Sequence, residues 1–124
     1  MIIKESAENY LETIYMLNKQ RGFARSIDVS NELGVSKPSV SVAMKNFREA
    51  GYIETDADGK ITLTEKGLEV AERVYERHQV VAKALIALGV DEETAFEDSC
   101  KIEHDISQKT FEKIKDFLQK NGKL

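Results

Sequence analysis

Residues 26–51 read SIDVSNELGVSKPSVSVAMKNFREAG, and two short helices are predicted to follow one another in this stretch across a tight turn. In the first helix, Ser26 is the predicted N-cap and Gly34 is placed to end the helix in a left-handed conformation. In the second helix, Ser36 is the predicted N-cap and Pro38 falls in the first turn, where its missing N–H costs no hydrogen bond. The predicted apolar faces contain Ile27, Val29, Leu33, Val40, Ala43 or Met44, and Phe47. Helix, tight turn and capped helix predict a helix-turn-helix.

The flanking segments extend this motif into a complete domain. Residues 52–55 (YIET) and 60–64 (KITLT) alternate apolar and polar side chains around the pair Asp58-Gly59, which predicts a β-hairpin. An earlier helix, ending near residue 21, is predicted from apolar residues at helical spacing, namely Ala7, Tyr10, Leu11, Ile14 and Leu17. We therefore predict a winged helix-turn-helix over residues 1–63, with the hairpin as a small wing.

Three more helices are predicted over residues 64–124, which gives the chain a mainly α fold. Thr64 is the predicted N-cap of a long helix that ends near Gly89. Asp91 is the predicted N-cap of a helix that runs to about His104, and Ser107 of the last one. The sequence therefore predicts two regions, 1–63 and 64–124, with the boundary near Thr64.

Length and composition limit the classes of protein to consider. A chain of 124 residues with 32% charged and 41% hydrophobic residues is expected to form one compact domain or two small units sharing a core. The opening Met1-Ile2-Ile3 is too short an apolar stretch for a signal peptide, and no apolar run is long enough to span a membrane. We therefore expect a cytoplasmic protein without a membrane partner, in which the single cysteine stays a thiol.

Positive charge is concentrated on the second helix of the motif, although acidic residues outnumber basic ones by 22 to 18 in the whole chain. No acidic residue occurs from Ser36 to Arg48, and small serines there permit close approach to phosphates and base edges. The candidate DNA-binding residues are Arg25, Ser36, Lys37, Pro38, Ser39, Ser41, Val42, Lys45 and Lys60. Each alone is also compatible with a solvated helix start, but the combination predicts a binder of double-stranded DNA.

The segment CKIEH, residues 100–104, contains the only cysteine and one of the two histidines. On a helix, Cys100, Glu103 and His104 share one face, and their thiolate, carboxylate and imidazole suit first-row transition metals better than Mg²⁺ or Ca²⁺. Three ligands from one helix are strained, so further ligands are expected from His78 on the long helix and from Asn9 and Glu12 on the first helix. Spacing alone leaves open a metal site, or a buried cysteine beside a surface Glu–His pair.

Segments along nearly the whole chain resemble the diphtheria-toxin-repressor and manganese-transport-regulator family. The segments that carry this resemblance are ENYLETIYML (8–17), GVSKPSVS (34–41), ITLTEKG (61–67), ERH (76–78) and CKIEHDIS (100–107). The resemblance implies a homodimeric, metal-dependent transcriptional repressor of metal-homeostasis genes, with a palindromic DNA operator and a helical metal-binding and dimerisation region. It also implies that the metal ligands of the family fall at six positions of this chain. These are His78, Cys100, Glu103, His104, Glu12 and, by position, Asn9. The chain is similar to the short form, without an extra C-terminal domain.

The resemblance also bears on which metal is bound. The manganese-selective branch has a carboxylate at the position of Asn9 and a Glu at the position of Cys100, whereas the iron-responsive branch has Met at the former and keeps the Cys. Cys100 therefore favours Fe²⁺, with Mn²⁺ as the other candidate and with Co²⁺, Ni²⁺ or Zn²⁺ as substitutes in vitro. Asn9 offers only a neutral amide oxygen, which is expected to weaken its site.

Three other classes of protein compete with this interpretation. A winged helix-turn-helix regulator that has lost metal control is suggested by Asn9. An enzyme is disfavoured, because the sequence shows no paired Glu-x-x-His motifs, no glycine-rich phosphate loop and no nucleophile–base arrangement for a small organic substrate. A purely structural module that binds another protein would show no DNA affinity even at low salt.

Overall fold

The computed structural model describes residues 5–124 and confirms a mainly α fold with a winged helix-turn-helix. The elements are α1 (Glu5–Arg21), α2 (Ser26–Leu33), α3 (Lys37–Glu49), β1 (Ile53–Thr55), β2 (Ile61–Leu63), α4 (Glu65–Ala87), α5 (Glu92–Asp105) and α6 (Gln108–Lys120). Met1 to Lys4, which include the apolar residues considered for a signal peptide, lie outside the described residues. Among the helices described, none combines the length and apolar character that crossing a bilayer requires.

The chain divides into two compact units, the first ending at Arg73 and the second comprising Val74–Leu124. We call them the first unit and the second unit. The sequence predicted a boundary between two regions near Thr64. In the structure, the first part of α4, as far as Arg73, packs with the first unit. The division into regions 1–63 and 64–124 stays a prediction about function.

The helix-turn-helix of the first unit is formed by α2 and α3. Gly34 ends α2 with φ of 67°, and Ser36 accepts the backbone N–H of Ser39 as N-cap of α3, as expected. The prediction of Ser26 as the N-cap of α2 is wrong, because Arg25 holds that position. The Arg25 N–H donates to the Asp28 carboxylate at 3.0 Å, so the side chain three residues into the helix does the capping.

The wing of the first unit is a short antiparallel pair in which Glu54 lies opposite Thr62. Asp56 Oδ1 accepts the backbone N–H groups of Asp58 and Lys60, both at 2.9 Å, and so closes the turn between the strands. The wing is packed on a core to which each helix of this unit contributes. The core residues are Leu11, Ile14, Leu17, Ala24, Val29, Val40, Met44, Phe47, Tyr52, Ile53, Ile61, Val70 and Ala71.

The second unit is built from the rest of α4 with α5 and α6. Its core includes Val80, Phe111 and Leu118, with Ala84, Ile106 and Ile114 packed against them. Asp91 is the N-cap of α5, and hydrogen bonds from the backbone and side chain of Thr94 lower the pKa of its carboxyl below 3.8. Ser107 is the N-cap of α6, as predicted. These caps fix the start of the two helices that follow α4.

Candidate metal centre and DNA-reading face

His78 and Cys100 are brought together by α4 and α5 within the second unit. Sγ of Cys100 lies 3.3 Å from Nε2 and 3.8 Å from Nδ1 of His78. Nε2 also lies 3.3 Å from the Phe96 carbonyl oxygen. Nε2 can therefore make either of two contacts: when it carries the proton it donates to the Phe96 carbonyl, and when it does not, its lone pair is available to the thiol or to an ion.

This spacing fits a shared ion. A transition metal bonded to sulfur at about 2.3 Å and to nitrogen at about 2.1 Å holds the two donors about 3.1 Å apart at a right angle and about 3.6 Å apart at a tetrahedral angle. The observed 3.3 Å between Sγ and Nε2 falls between these limits. The same separation suits a thiol–imidazole hydrogen bond, which is the contact that the pair makes without an ion.

Glu103 and His104 follow on α5, and both side chains are buried. The exposed fraction is 2% for the Glu103 side chain and 4% for that of His104, and Nε2 of His104 lies 3.4 Å from Oε1 of Glu103. A ring nitrogen of His78 and a carboxylate oxygen of Glu103 lie within 4.8 Å of one another. His78 is thus close both to the thiol of Cys100 and to the carboxylate of Glu103, and a divalent cation would offset the cost of burying that carboxylate.

The ordinary alternatives for these residues do not match the structure. Cys100 is exposed, so it is not a small buried hydrophobe. Glu103 and His104 are nearly inaccessible to solvent, so they are not a surface pair. Both observations favour ligand roles over packing roles.

Asn9 and Glu12 belong to α1 in the first unit. They are three residues apart on that helix and so lie on one face of it. Their expected ligand roles rest on residue type and position in the sequence. The contact of His78 with the Phe96 carbonyl was missed by sequence reasoning, because a backbone oxygen carries no signal in the residue type.

The predicted DNA-reading residues of α3 are exposed together. The side chains accessible to solvent are those of Ser36, Lys37, Pro38, Ser39, Ser41, Val42 and Lys45. Val42 is 61% exposed, while Val40, Met44 and Phe47 on the other face of α3 are buried. Ser36 Oγ donates to Ser39 Oγ at 2.7 Å, which orders the start of the helix. An exposed apolar residue between serines and lysines suits readout of thymine methyl groups in the major groove.

Arg25 and Lys60 lie outside α3 and are both partly exposed. Arg25 Nε donates to the Asp58 carbonyl at 3.2 Å, so this arginine joins the start of α2 to the turn of the wing. Arg48, at the end of α3, contacts the wing through Thr55 at 3.5 Å. The candidate phosphate contacts therefore lie on the wing side of the helix-turn-helix.

A winged helix-turn-helix, together with a helical unit in which His78 lies close to a thiol and to a buried carboxylate, is typical of a metal-dependent DNA-binding regulator. The model of the iron dependent repressor N-terminal DNA binding domain matches residues 3–61, and that of the iron dependent repressor metal binding and dimerisation domain matches residues 64–123. The chain belongs to this iron dependent repressor family, a family of metal-dependent transcriptional repressors. The family resemblance predicted from the sequence is confirmed.

Individual relatives agree with this assignment. An uncharacterized HTH-type transcriptional regulator of Methanocaldococcus jannaschii is 33% identical over 120 residues, which cover 95% of this chain and 96% of that protein. The transcriptional regulator MntR of Escherichia coli O6:H1 is 36% identical over 119 residues, or 96% of this chain and 77% of that protein. The solved structure of T. acidophilum IdeR matches 93% of this chain with a TM-score of 0.80 and 26% identity. The chain spans about half, 53%, of that solved chain.

Proposed function

We propose that this protein represses metal-homeostasis genes by binding a palindromic operator as a metal-loaded homodimer, and that it acts by binding and not by catalysis. The observation that carries the proposal is the approach of Cys100 Sγ to His78 Nε2, beside the buried Glu103 and His104, in the segment matched by the metal binding and dimerisation domain. A two-fold dimer presents its recognition helices about 34 Å, or a multiple of that distance, apart, which favours an operator with two related half-sites. Relatives named as transcriptional regulators support the non-catalytic role.

We propose Fe²⁺ as the metal in the cell, with Mn²⁺ as the alternative. The thiol of Cys100 supports iron, because soft sulfur ligands discriminate against manganese, which binds most weakly of the first-row divalent ions. Relatives named MntR support manganese instead. The two are distinguished by measuring operator affinity against free Fe²⁺, anaerobically, and against free Mn²⁺, for the wild type and for Cys100→Glu. We expect the wild type to reach high operator affinity at lower free Fe²⁺ than free Mn²⁺. We expect Cys100→Glu to shift this preference toward Mn²⁺.

We propose that Asn9 and Glu12 join His78, Cys100, Glu103 and His104 as ligands. The support is the family resemblance and the residue types, since a carboxylate and an amide oxygen complement a thiolate and imidazoles around a transition metal. Metal binding would then select a DNA-binding arrangement already accessible to the metal-free protein. In that case the metal raises DNA affinity without contacting DNA.

The face that a second copy would cover is proposed to be an apolar groove on the second unit. A cavity of about 660 Å³ lies between the end of α4 and α6, and is lined by Ala84, Ala87, Leu88, Ile114, Phe117 and Leu118. Leu88 is 81% and Phe117 64% exposed, and exposed apolar patches commonly mark interfaces. Lys109, Lys113 and Lys123 also line the groove, and they would complement the exposed acidic residues Glu92, Glu93 and Glu97 of another copy. The match of residues 64–123 to a dimerisation domain supports this occupant.

The deciding experiment measures operator affinity as a function of metal for the wild type and for His104→Ala. Metal is expected to raise the affinity of the wild type, and the variant is expected to need far more metal for the same effect. Equal affinity and equal metal dependence in the two proteins would refute the mechanism. A regulator that has lost metal control, the second candidate suggested by Asn9, would bind its operator equally well with and without metal.

A further inference from the structure

Phe23, in the turn between α1 and α2, lies against two cations from separate parts of the first unit. Cζ of Arg25 lies 5.0 Å from the centre of the Phe23 ring, and Nζ of Lys60 lies 5.5 Å from it. Both distances are within the range at which a cation is attracted to the face of an aromatic ring. One partly exposed ring therefore holds a residue at the start of α2 and a residue at the start of β2.

Backbone contacts hold these three residues in place. The Ile61 N–H donates to the Ala24 carbonyl at 2.7 Å, which joins the neighbours of Lys60 and Phe23 in the chain. Arg25 Nε donates to the Asp58 carbonyl at 3.2 Å, and the Lys60 N–H is bound by the Asp56 carboxylate at 2.9 Å. The cluster is thus tied to the wing from both sides, and its position follows the position of the wing.

The absence of a paired carboxylate among the described residues distinguishes Arg25 and Lys60 from two other arginines of the unit. Arg21 pairs with Asp28, and Arg73 pairs with Glu8. Among the side chains that the structure describes, neither Arg25 nor Lys60 forms an ion pair with a carboxylate. Two cations held against one ring repel one another, and an anion bound to both would offset that repulsion.

We propose that Arg25 and Lys60 form a single binding site for a DNA phosphate beside the wing, and that Phe23 is the positioning residue that holds both cations for it. This inference rests on the DNA-binding function. It adds that Arg25 and Lys60 bind the same phosphate, and that the uncharged Phe23 contributes to the site by holding them. Phosphate contacts fix the register of a protein on the duplex and carry no sequence information directly. The site should therefore act alike on specific and non-specific DNA.

The test compares Phe23→Leu, which keeps an apolar side chain but removes the ring, with Phe23→Tyr, which keeps the ring. Affinity for a fluorescent duplex of mixed sequence is measured by anisotropy over a range of salt concentrations, at constant Mn²⁺. Phe23→Leu should bind about three- to tenfold more weakly, because neither cation is then held against an aromatic face. Its log–log salt slope should be smaller by up to about 0.9 for each phosphate that the variant no longer binds. Phe23→Tyr should behave as the wild type.

A double-mutant cycle separates positioning from a general loss of structure. Lys60→Gln should weaken binding clearly in the wild-type background and much less in the Phe23→Leu background, where Lys60 is no longer held. Equal effects in both backgrounds, or an unchanged salt slope in Phe23→Leu, would overturn the proposal. Lys45→Gln on α3 is the control for the underlying function, since it should weaken binding whether or not Phe23 has this role. Absence of DNA binding by the wild type at low salt would instead refute the DNA-binding function itself.

Discussion

Nε2 of His78 lies 3.3 Å from Sγ of Cys100, so the imidazole of α4 and the thiol of α5 can bind the same ion. The two residues are 22 positions apart in the chain and are brought together by helix packing within the second unit. Since Cys100 is also exposed, an ion could reach the thiol from solvent.

Cobalt binding provides the direct test of this pair. Anaerobic titration of the reduced protein with Co²⁺ should produce a saturable thiolate-to-metal charge-transfer band, because a metal-bound cysteine is a thiolate. Cys100→Ser should lose that band and retain weaker ligand-field bands from the remaining nitrogen and oxygen ligands. An unchanged spectrum in the variant would show that the thiol does not bind the metal.

Replacement of Glu103 by Gln should separate metal binding from folding. The side chain is only 2% exposed, and a neutral amide of the same shape is easier to bury than a carboxylate. We therefore expect the metal-free variant to be at least as stable as the wild type, with metal affinity reduced by at least about tenfold. Metal at one hundred times its Kd should raise the Tm of the wild type by roughly 10 °C and that of the variant much less.

Two variants on α3 should affect DNA binding in different ways. Val42→Ala removes an apolar side chain and should weaken binding to an operator obtained by in vitro selection by roughly fivefold, leaving non-specific binding and the salt slope unchanged. Lys45→Gln removes a charge and should weaken both kinds of binding, with a slope smaller by about 0.9. Anisotropy titrations at several salt concentrations measure both effects. A uniform loss in Val42→Ala would contradict a role in base readout.

Substitution of Phe117 tests the proposed dimer surface. Phe117→Ser removes an aromatic ring that is 64% exposed and lines the groove of the second unit. Because loss of apolar burial weakens association, the variant should dissociate into monomers at concentrations where the wild type is a dimer. Analytical ultracentrifugation measures this, with Gln119→Ala, exposed on the same helix, as the control. Equal dimer stability in all three proteins would place the interface elsewhere.

Gly67 is expected to reverse the usual effect of an alanine substitution. In an exposed helix interior, Gly→Ala stabilises by about 1 kcal/mol. Here an added Cβ would lie 2.0 Å from the carbonyl oxygen of Tyr52, which is held in place by the Thr64 N–H at 3.0 Å. Gly67→Ala should therefore destabilise the protein by about 1–3 kcal/mol. Urea unfolding measures the change, and Glu65→Ala in the same helix turn should be nearly neutral.

Local features of the chain were predictable from the sequence to different degrees. The caps at Ser36, Asp91 and Ser107 are all confirmed, because a short polar side chain next to unsatisfied N–H groups acts over three residues. The same rule wrongly predicted Ser26 as the N-cap of α2. Here the Asp28 carboxylate, inside the helix, accepts the backbone N–H of Arg25. The rule identified the right segment and the wrong residue.

The sequence by itself determined the order of the helices, the hairpin wing and the basic α3, because each depends on hydrogen bonds and periodicities that act within a few residues. The family followed from the resemblance of segments along the chain. Tertiary structure alone decided that Lys60 meets Phe23, and it set the distance of 3.3 Å between Cys100 and His78, two residues that the sequence had already suggested as joint ligands. It also decided that Gly67 lies against the Tyr52 carbonyl. Such contacts depend on how whole helices and strands pack against one another. The types of the two residues in contact do not indicate how far apart they lie in the folded chain.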